Sequence, residues 1–149
     1  LMKKCTLALG CFWKPEEKFK NKLGIIETEV GYAGGKSPNV TYKEVCVGDT
    51  GHAEVVRLTF DEKVISFKRI LDLFFKMHDP TQKDMQFPDI GTQYRSEIFY
   101  ENDDQKKEAQ EVLNEKNKEL SGKIETNVSK IKNYCKAEEY HQKYIEKNK

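Results

Sequence analysis

The chain has 149 residues with 26 basic and 25 acidic side chains, a formal charge of +1; this length suits one domain over residues 1–149 and leaves little room for a second. Charge parity gives no reason to expect nucleic acid, whose binders carry a clustered basic excess, and the longest apolar stretch, 7–13, falls far short of the roughly twenty residues of a membrane span. Mean hydropathy is −0.80, but eight Phe, seven Tyr and one Trp are enough large side chains to fill a core, which excludes global disorder.

Leu1 stands ahead of Met2 and is set aside from the fold argument. Residues 4–10 alternate as a strand, with Cys5, Leu7 and Leu9 on one face and Thr6 and Ala8 on the other. Residues 11–23 read as a helix, signalled by Pro15, Glu16 and Glu17 near its start and by Gly24 as its stop. Cys11 therefore falls at a strand-to-helix junction. A second strand, 25–32, runs into Gly34-Gly35, and 36–51 reads as a long loop with a short extended piece over 42–47. Residues 53–60 give the cleanest alternation, with Val56, Leu58 and Phe60 on one face and Glu54 on that same apolar face.

Ser66 is the expected N-cap of a helix whose Phe67, Ile70, Leu71, Phe74 and Phe75 make an amphipathic stripe. Pro80, Pro88 and Gly91 break 79–92 into a second loop before a strand at 94–100. A charged helix over 103–121, stopped by Gly122, and a weak strand over 126–131 precede a tail from Asn133. This order predicts an α+β fold, a two-layer ferredoxin-like sandwich with helices packed on one face of a mixed sheet.

The four cysteines, Cys5, Cys11, Cys46 and Cys135, include no C-x-x-C pair, which argues against a zinc knuckle and a thioredoxin-type site. In the reduced cytoplasm this composition points to, the question is which thiol does chemistry. A thiol at a helix start is favoured as thiolate by the unpaired N–H groups and the helix dipole, which makes Cys11 the natural nucleophile. The plainer alternative is a buried cysteine ending a core strand, and position alone leaves both open. Phe12 and Trp13 either fill core or wall a pocket for a small apolar group. Glu54, on a buried face, would be pushed toward neutrality and hold a proton at pH 7, unless it sits at a wet strand end or pairs with a cation. Asp89, Tyr94, Tyr42 and His52 lie in loops or at strand ends, where nothing in their spacing promotes them.

Four segments nevertheless carry a family pattern: Gly10-Cys11-Phe12-Trp13; Thr50-Gly51-His52-Ala53-Glu54-Val55-Val56; Asp89-Ile90-Gly91-Thr92-Gln93-Tyr94-Arg95-Ser96; and Ala137-Glu138-Glu139-Tyr140-His141-Gln142. In order and spacing they resemble the peptide methionine sulfoxide reductases of the A class, over nearly the whole chain. The resemblance implies a thiol-dependent oxidoreductase of protein repair, active on free and peptide-bound methionine S-sulfoxide, without metal or organic cofactor. It makes Cys11 the nucleophile that becomes a sulfenic acid and Glu54 the acid that protonates the departing oxygen. Tyr42 and Tyr94 would hydrogen-bond that oxygen, Phe12 and Trp13 would hold the methyl group, and Asp89 would position the substrate backbone. His52 and His141 match family positions and read as structural.

Many relatives regenerate the nucleophile with cysteines beyond the Tyr-His-Gln motif, whereas here 143–149 contain none. Cys135, ahead of the motif, is either a packed substitute for an aromatic residue or a relocated resolving cysteine, with packing favoured; Cys46 and Cys5 read as inert. The expectation is recycling by an external thiol, thioredoxin or glutathione with glutaredoxin, acting on a monomer. Two rivals remain: a thiol peroxidase, which leaves Glu54 beside two aromatics unexplained, and an RNA-binding module, which would need a basic aromatic sheet face.

Overall fold

A computed structural model describes residues 2–149; Leu1 lies outside the described residues. Strand β1, Met2–Leu9, carries Cys5, Leu7 and Leu9 into the core, as its alternation predicts. It pairs antiparallel on one side with β3, Ala53–Asp61, and on the other with β6, Ser96–Tyr100. β3 pairs in turn with β2, Ile25–Ala33, in a register that sets Tyr32 opposite Glu54. Parallel pairing of β6 with β7, Asn127–Lys130, and a two-residue strand β8, Cys135–Lys136, against β2 complete a six-stranded mixed sheet of order β7-β6-β1-β3-β2-β8. β8 comes so close that a side chain at Gly31 would stand 2.7 Å from the Cys135 carbonyl oxygen.

The helices cover one face of this α+β sheet. Helix α1 is Trp13–Phe19, and α2 is the six-residue Tyr42–Val47. In α3, Phe67–Met77, the Ser66 hydroxyl accepts from Arg69 N at 3.0 Å, and Phe67, Ile70, Leu71, Phe74 and Phe75 are all buried. Each such side chain contributes about 1.5–3 kcal/mol relative to exposure. α4, Asp103–Glu119, adds only Ala109 and Val112 to the main core, which explains its weak apolar seam. A second, smaller cluster on the opposite face joins Ala8, Ala33, Ala53, Val55 and Phe99 beneath Ile131 and Tyr134.

Three segments differ from the sequence reading. The stretch 42–47 is helical, not extended: Thr41 and Glu44 form a reciprocal capping box, and six residues are too few to show a helical period. The loop 79–92 contains a small hairpin, β4 Met85–Gln86 with β5 Asp89–Ile90. The tail is built rather than loose. It forms β8, a 3-10 turn over Glu139–His141 and the helix α5, Tyr144–Lys147. Among the described residues no helix is long and apolar enough to cross a membrane.

Candidate active site

Cys11 owes its place to Gly10, whose φ of +91° turns the chain out of β1 in a conformation that L side chains rarely adopt. A side chain there would also meet Gln86 Cγ at 2.8 Å. Phe12 is the N-cap of α1 and makes no side-chain cap, so Cys11 lies one residue outside the helix. Its thiol is half-buried and lines a cavity of about 570 Å³ together with Trp13 and Asp89. The expected thiolate is not its resting state. Burial pushes the thiol up to about 12, the Trp13 N–H pulls it down only partly, and the charges of Glu54 and Asp89 push it further up. The sulfur loses more hydration than a seven-residue helix returns to it.

Glu54 sits where β3 enters the sheet, 1% exposed. Its Oε1 accepts from Phe12 N at 3.2 Å, which ties it to the residue after the thiol. Oε2 is buried and has no hydrogen-bond partner among the described residues. Burial raises its pKa to about 8, against the pull of the Phe12 N–H and with a small upward push from Asp89. At pH 7 the neutral acid therefore outnumbers the carboxylate by about ten to one. Neither a wet strand end nor a cationic partner describes this residue.

Tyr42 opens α2, and its placement depends on Glu138: Glu138 Oε2 accepts the Tyr42 N–H at 2.8 Å while Oε1 accepts the Tyr32 hydroxyl at 2.8 Å. Tyr94 closes a 3-10 turn, Thr92–Tyr94, just ahead of β6. Both phenols are pushed above their ordinary range, by burial first and also by the Glu54 charge, so both stay protonated donors. Tyr94 feels Glu54, Asp89 and Cys11 together. The structure thus brings Cys11, Glu54, Tyr42, Tyr94 and Asp89 to one end of the sheet. Cys46, one helical turn after Tyr42, stands against its hydroxyl but is exposed.

Trp13 is held from two sides: its Nε1–H donates to His141 Nδ1 at 3.0 Å, and its ring stacks on Tyr144 at 3.9 Å and 10°. Phe12 packs beneath, against Tyr32 and His141 at ring distances of 5.8 and 5.3 Å. Sequence reasoning missed Glu138 and Tyr144. Glu138 lies in the last of the four motifs, where it could have been found; Tyr144 has no local signal. The His52 Nε2–H donates to the Ser37 carbonyl at 2.7 Å. His78, which no motif marked, bridges the Phe74 carbonyl and Ser96 Oγ at 2.7 Å each.

Cys5 is fully buried and Cys135 is packed against the cluster of Phe12, Val30, Tyr32, Val45 and Ala137, with its thiol 3.6 Å from the Val40 carbonyl. Among the described residues no three His, Cys, Asp or Glu side chains converge as a metal-ligand set. A cleft of similar size, about 580 Å³, lies between α3 and α4 and is lined mainly by Lys, Glu and Asp, with no cysteine. A half-exposed thiol, a neutral buried acid, two phenol donors and an aromatic wall can together attack, protonate and retain a small polar group with an apolar neighbour.

Comparison with known proteins points to one family. The model of the family described as peptide methionine sulfoxide reductase matches residues 3–149. A protein of Pelagibacter ubique named peptide methionine sulfoxide reductase MsrA is 58% identical over 146 residues, 98% of this chain and 99% of its own. The reduced form of Mxr1 from Saccharomyces cerevisiae superposes with a TM-score of 0.95 at 44% identity, covering 99% of this chain and 86% of that one. Mxr1 has also been solved in complex with Trx2, a chain that matches with a TM-score of 0.68 at 30% identity over 96% of this chain and 84% of that one.

Proposed function

The chain belongs to the A class of the peptide methionine sulfoxide reductase family, and from that premise we propose that it reduces methionine S-sulfoxide, free or in proteins, through a sulfenic acid on Cys11. The observation that carries the reading is Glu54: a buried acid with one free oxygen, bonded to the backbone beside a half-exposed thiol. Sulfoxide oxygen is a poor leaving group until it is protonated, and an acid with a pKa of about 8 still holds the proton it must give at neutral pH.

In the proposed step Cys11 Sγ bonds to the sulfoxide sulfur as Glu54 protonates the oxygen, and the thiol proton restores Glu54. The protonated oxygen then passes to Cys11, its bond to the substrate sulfur and the Sγ–S bond both breaking as the Sγ–O bond forms, which gives a sulfenic acid and the free thioether. The substrate sulfur is reduced by two electrons and the cysteine sulfur is oxidised by two, with no net proton released. Tyr42 and Tyr94 donate to the oxygen while its charge develops, Phe12 and Trp13 hold the methyl group, and Asp89 positions the substrate backbone.

Recycling is assigned to an external dithiol: its first sulfur displaces water from the sulfenic acid and its second releases the mixed disulfide. The packing of Cys135 and the burial of Cys5 count against these two as internal partners, and mass spectrometry tests the exposed Cys46 with them. The relative solved with Trx2 supports thioredoxin as the reductant. The test is turnover of dabsyl-methionine sulfoxide, resolved into its S and R epimers, with dithiothreitol. Wild type reduces the S epimer and Cys11→Ser reduces neither. Mass spectrometry after one turnover without reductant finds one oxygen added at Cys11; a disulfide from Cys11 to Cys46 or to Cys135 would overturn external recycling.

A further inference from the structure

A methionine sulfoxide in a polypeptide brings its neighbours with it, and the cavity at Cys11 is larger than that one side chain. About 570 Å³ falls within the roughly 300–1,000 Å³ of pockets that enclose whole drug-sized ligands, whereas the sulfoxide side chain has only a handful of heavy atoms. Beyond Cys11 and Trp13, the walls include Met77, Phe87, Pro88 and Ile145. Phe87 is 74% exposed, at the tip of the β4–β5 hairpin. Together with Met77, Pro88 and Ile145 in the same walls, the exposed ring makes an apolar patch of the kind that is covered on binding.

The hairpin tip is fixed rather than loose. Phe87 N donates to Gln82 Oε1 at 2.8 Å, and Gln86 is bonded through both ends of its amide to the Asp79 backbone. The ring therefore needs little ordering to serve as a docking surface. It also lies two residues before Asp89, the residue assigned to the substrate backbone, so a chain held by Asp89 passes alongside it. On α1, Lys14 and Lys18 are exposed and line the same cavity. An apolar tip, a backbone anchor and a cationic edge, continuous with the reacting thiol, fit an extended polypeptide.

We propose that Phe87, backed by Pro88, forms a specificity subsite for a bulky apolar side chain directly adjacent to methionine sulfoxide in an unfolded protein segment. This rests on the methionine sulfoxide reductase reading and adds to it the preferred neighbour of the reacting residue.

The test compares acetyl-Phe-Met(O)-amide and acetyl-Met(O)-Phe-amide with their Gly counterparts, using wild type, Phe87→Ala and Phe87→Leu with dithiothreitol as reductant. In wild type at least one Phe peptide exceeds its Gly counterpart by about tenfold in kcat/KM, the scale of covering much of an aromatic side chain. Phe87→Ala brings that ratio to within about twofold of unity, and Phe87→Leu, which keeps apolar bulk, retains most of it. The exposed position makes both variants foldable, and matched circular dichroism and melting checks this. Equal kcat/KM for Phe and Gly peptides in wild type overturns the subsite. So does a ratio untouched by Phe87→Ala, and if that variant instead raises KM for thioredoxin, the hairpin is a reductant-docking surface. Failure of wild type to reduce any of the peptides overturns the activity itself, and the subsite with it.

Discussion

Two protonated acids stand beside each other at the first turn of α1, the Cys11 thiol with a pKa of about 12 and the Glu54 carboxyl at about 8. Both shifts come first from burial, so one physical cause prepares a thiol and a proton donor together. Glu54 must be neutral to act, and its ionisation removes the donor. The wild-type reduction step therefore holds its rate below about pH 8 and loses it as pH rises through that value. Glu54→Gln keeps the shape without the proton and lowers the single-turnover rate by about 10²–10⁴-fold, with no alkaline limb at 8. Quenched-flow measurement across this range checks it, and a limb that survives in the variant belongs to another group. The buried Glu54 was legible because a carboxylate on the apolar face of β3 breaks the alternation. The resting state of Cys11 was not: a junction between strand and helix announces the helix but not how deeply the sulfur lies or how short the helix is. The partners of Trp13 were equally hidden, since His141 stands 128 residues away.

At the scale of elements, long periodic segments were readable and short ones were not. Ser66 and the apolar stripe behind it mark α3 because eleven residues repeat one pattern three times, whereas α2 offers less than two turns and buries only Val45. The Thr41-x-x-Glu44 box is a written signal for α2 that the loop reading of 36–51, drawn from the surrounding Gly, Ser and Asn, passes over. That helix matters because it carries Tyr42, and it is docked chiefly through the Glu138 carboxylate, which bonds both its first N–H and the Tyr32 hydroxyl. Glu138 is thus a positioning residue for Tyr42. Glu138→Ala is expected to cost about 1–3 kcal/mol of stability, since the buried Tyr32 hydroxyl and a helix-terminal N–H lose their acceptor, and to lower kcat/KM by about tenfold. The informative measurement is a double-mutant cycle with Tyr42→Phe. If Glu138 acts through Tyr42, the double mutant loses less transition-state stabilisation than the two single variants together, by at least about 0.5 kcal/mol; strict additivity would show the clamp to be structural only.

For the whole molecule, the α+β sheet and its single helix-covered face follow from two alternating strands, one amphipathic helix and one charged helix that the chain displays openly. The edge strand β8 and the tail follow from contacts over a hundred residues apart, such as the Gln142 side chain bonding Val30. Stability of the assembled molecule should record the placement of Glu54. Its pKa is raised from 4.5 to about 8 in the fold, so the folded state holds a proton that the unfolded chain has released. The stability this confers is complete below about 4.5 and is lost as pH rises toward 8. His78 is lowered from 6.5 to about 4, and His52 and His141 are lowered too, all chiefly by burial. Their contribution has the opposite sign: it is complete above 6.5 and is lost as pH falls. At pH 6.5 the unfolded histidines are still half protonated, so from there to pH 8 they add at most about 0.4 kcal/mol each of rising stability, while Cys5 and Cys11, raised by burial from 9.0, largely keep their protons in both states. At about 1.4 kcal/mol per pH unit, Glu54 alone removes about 1.6 kcal/mol across the same window, partly offset by the histidines. Glu54→Gln has no proton to release there and keeps only the histidine contribution, so its stability rises slightly and the difference between the two proteins reports Glu54. Urea unfolding of both proteins at pH 6.5 and 8.0 measures the difference directly. Parallel profiles in the two would mean that the carboxyl is already ionised in the fold, and with that the acid on which the proposed reduction depends would be gone.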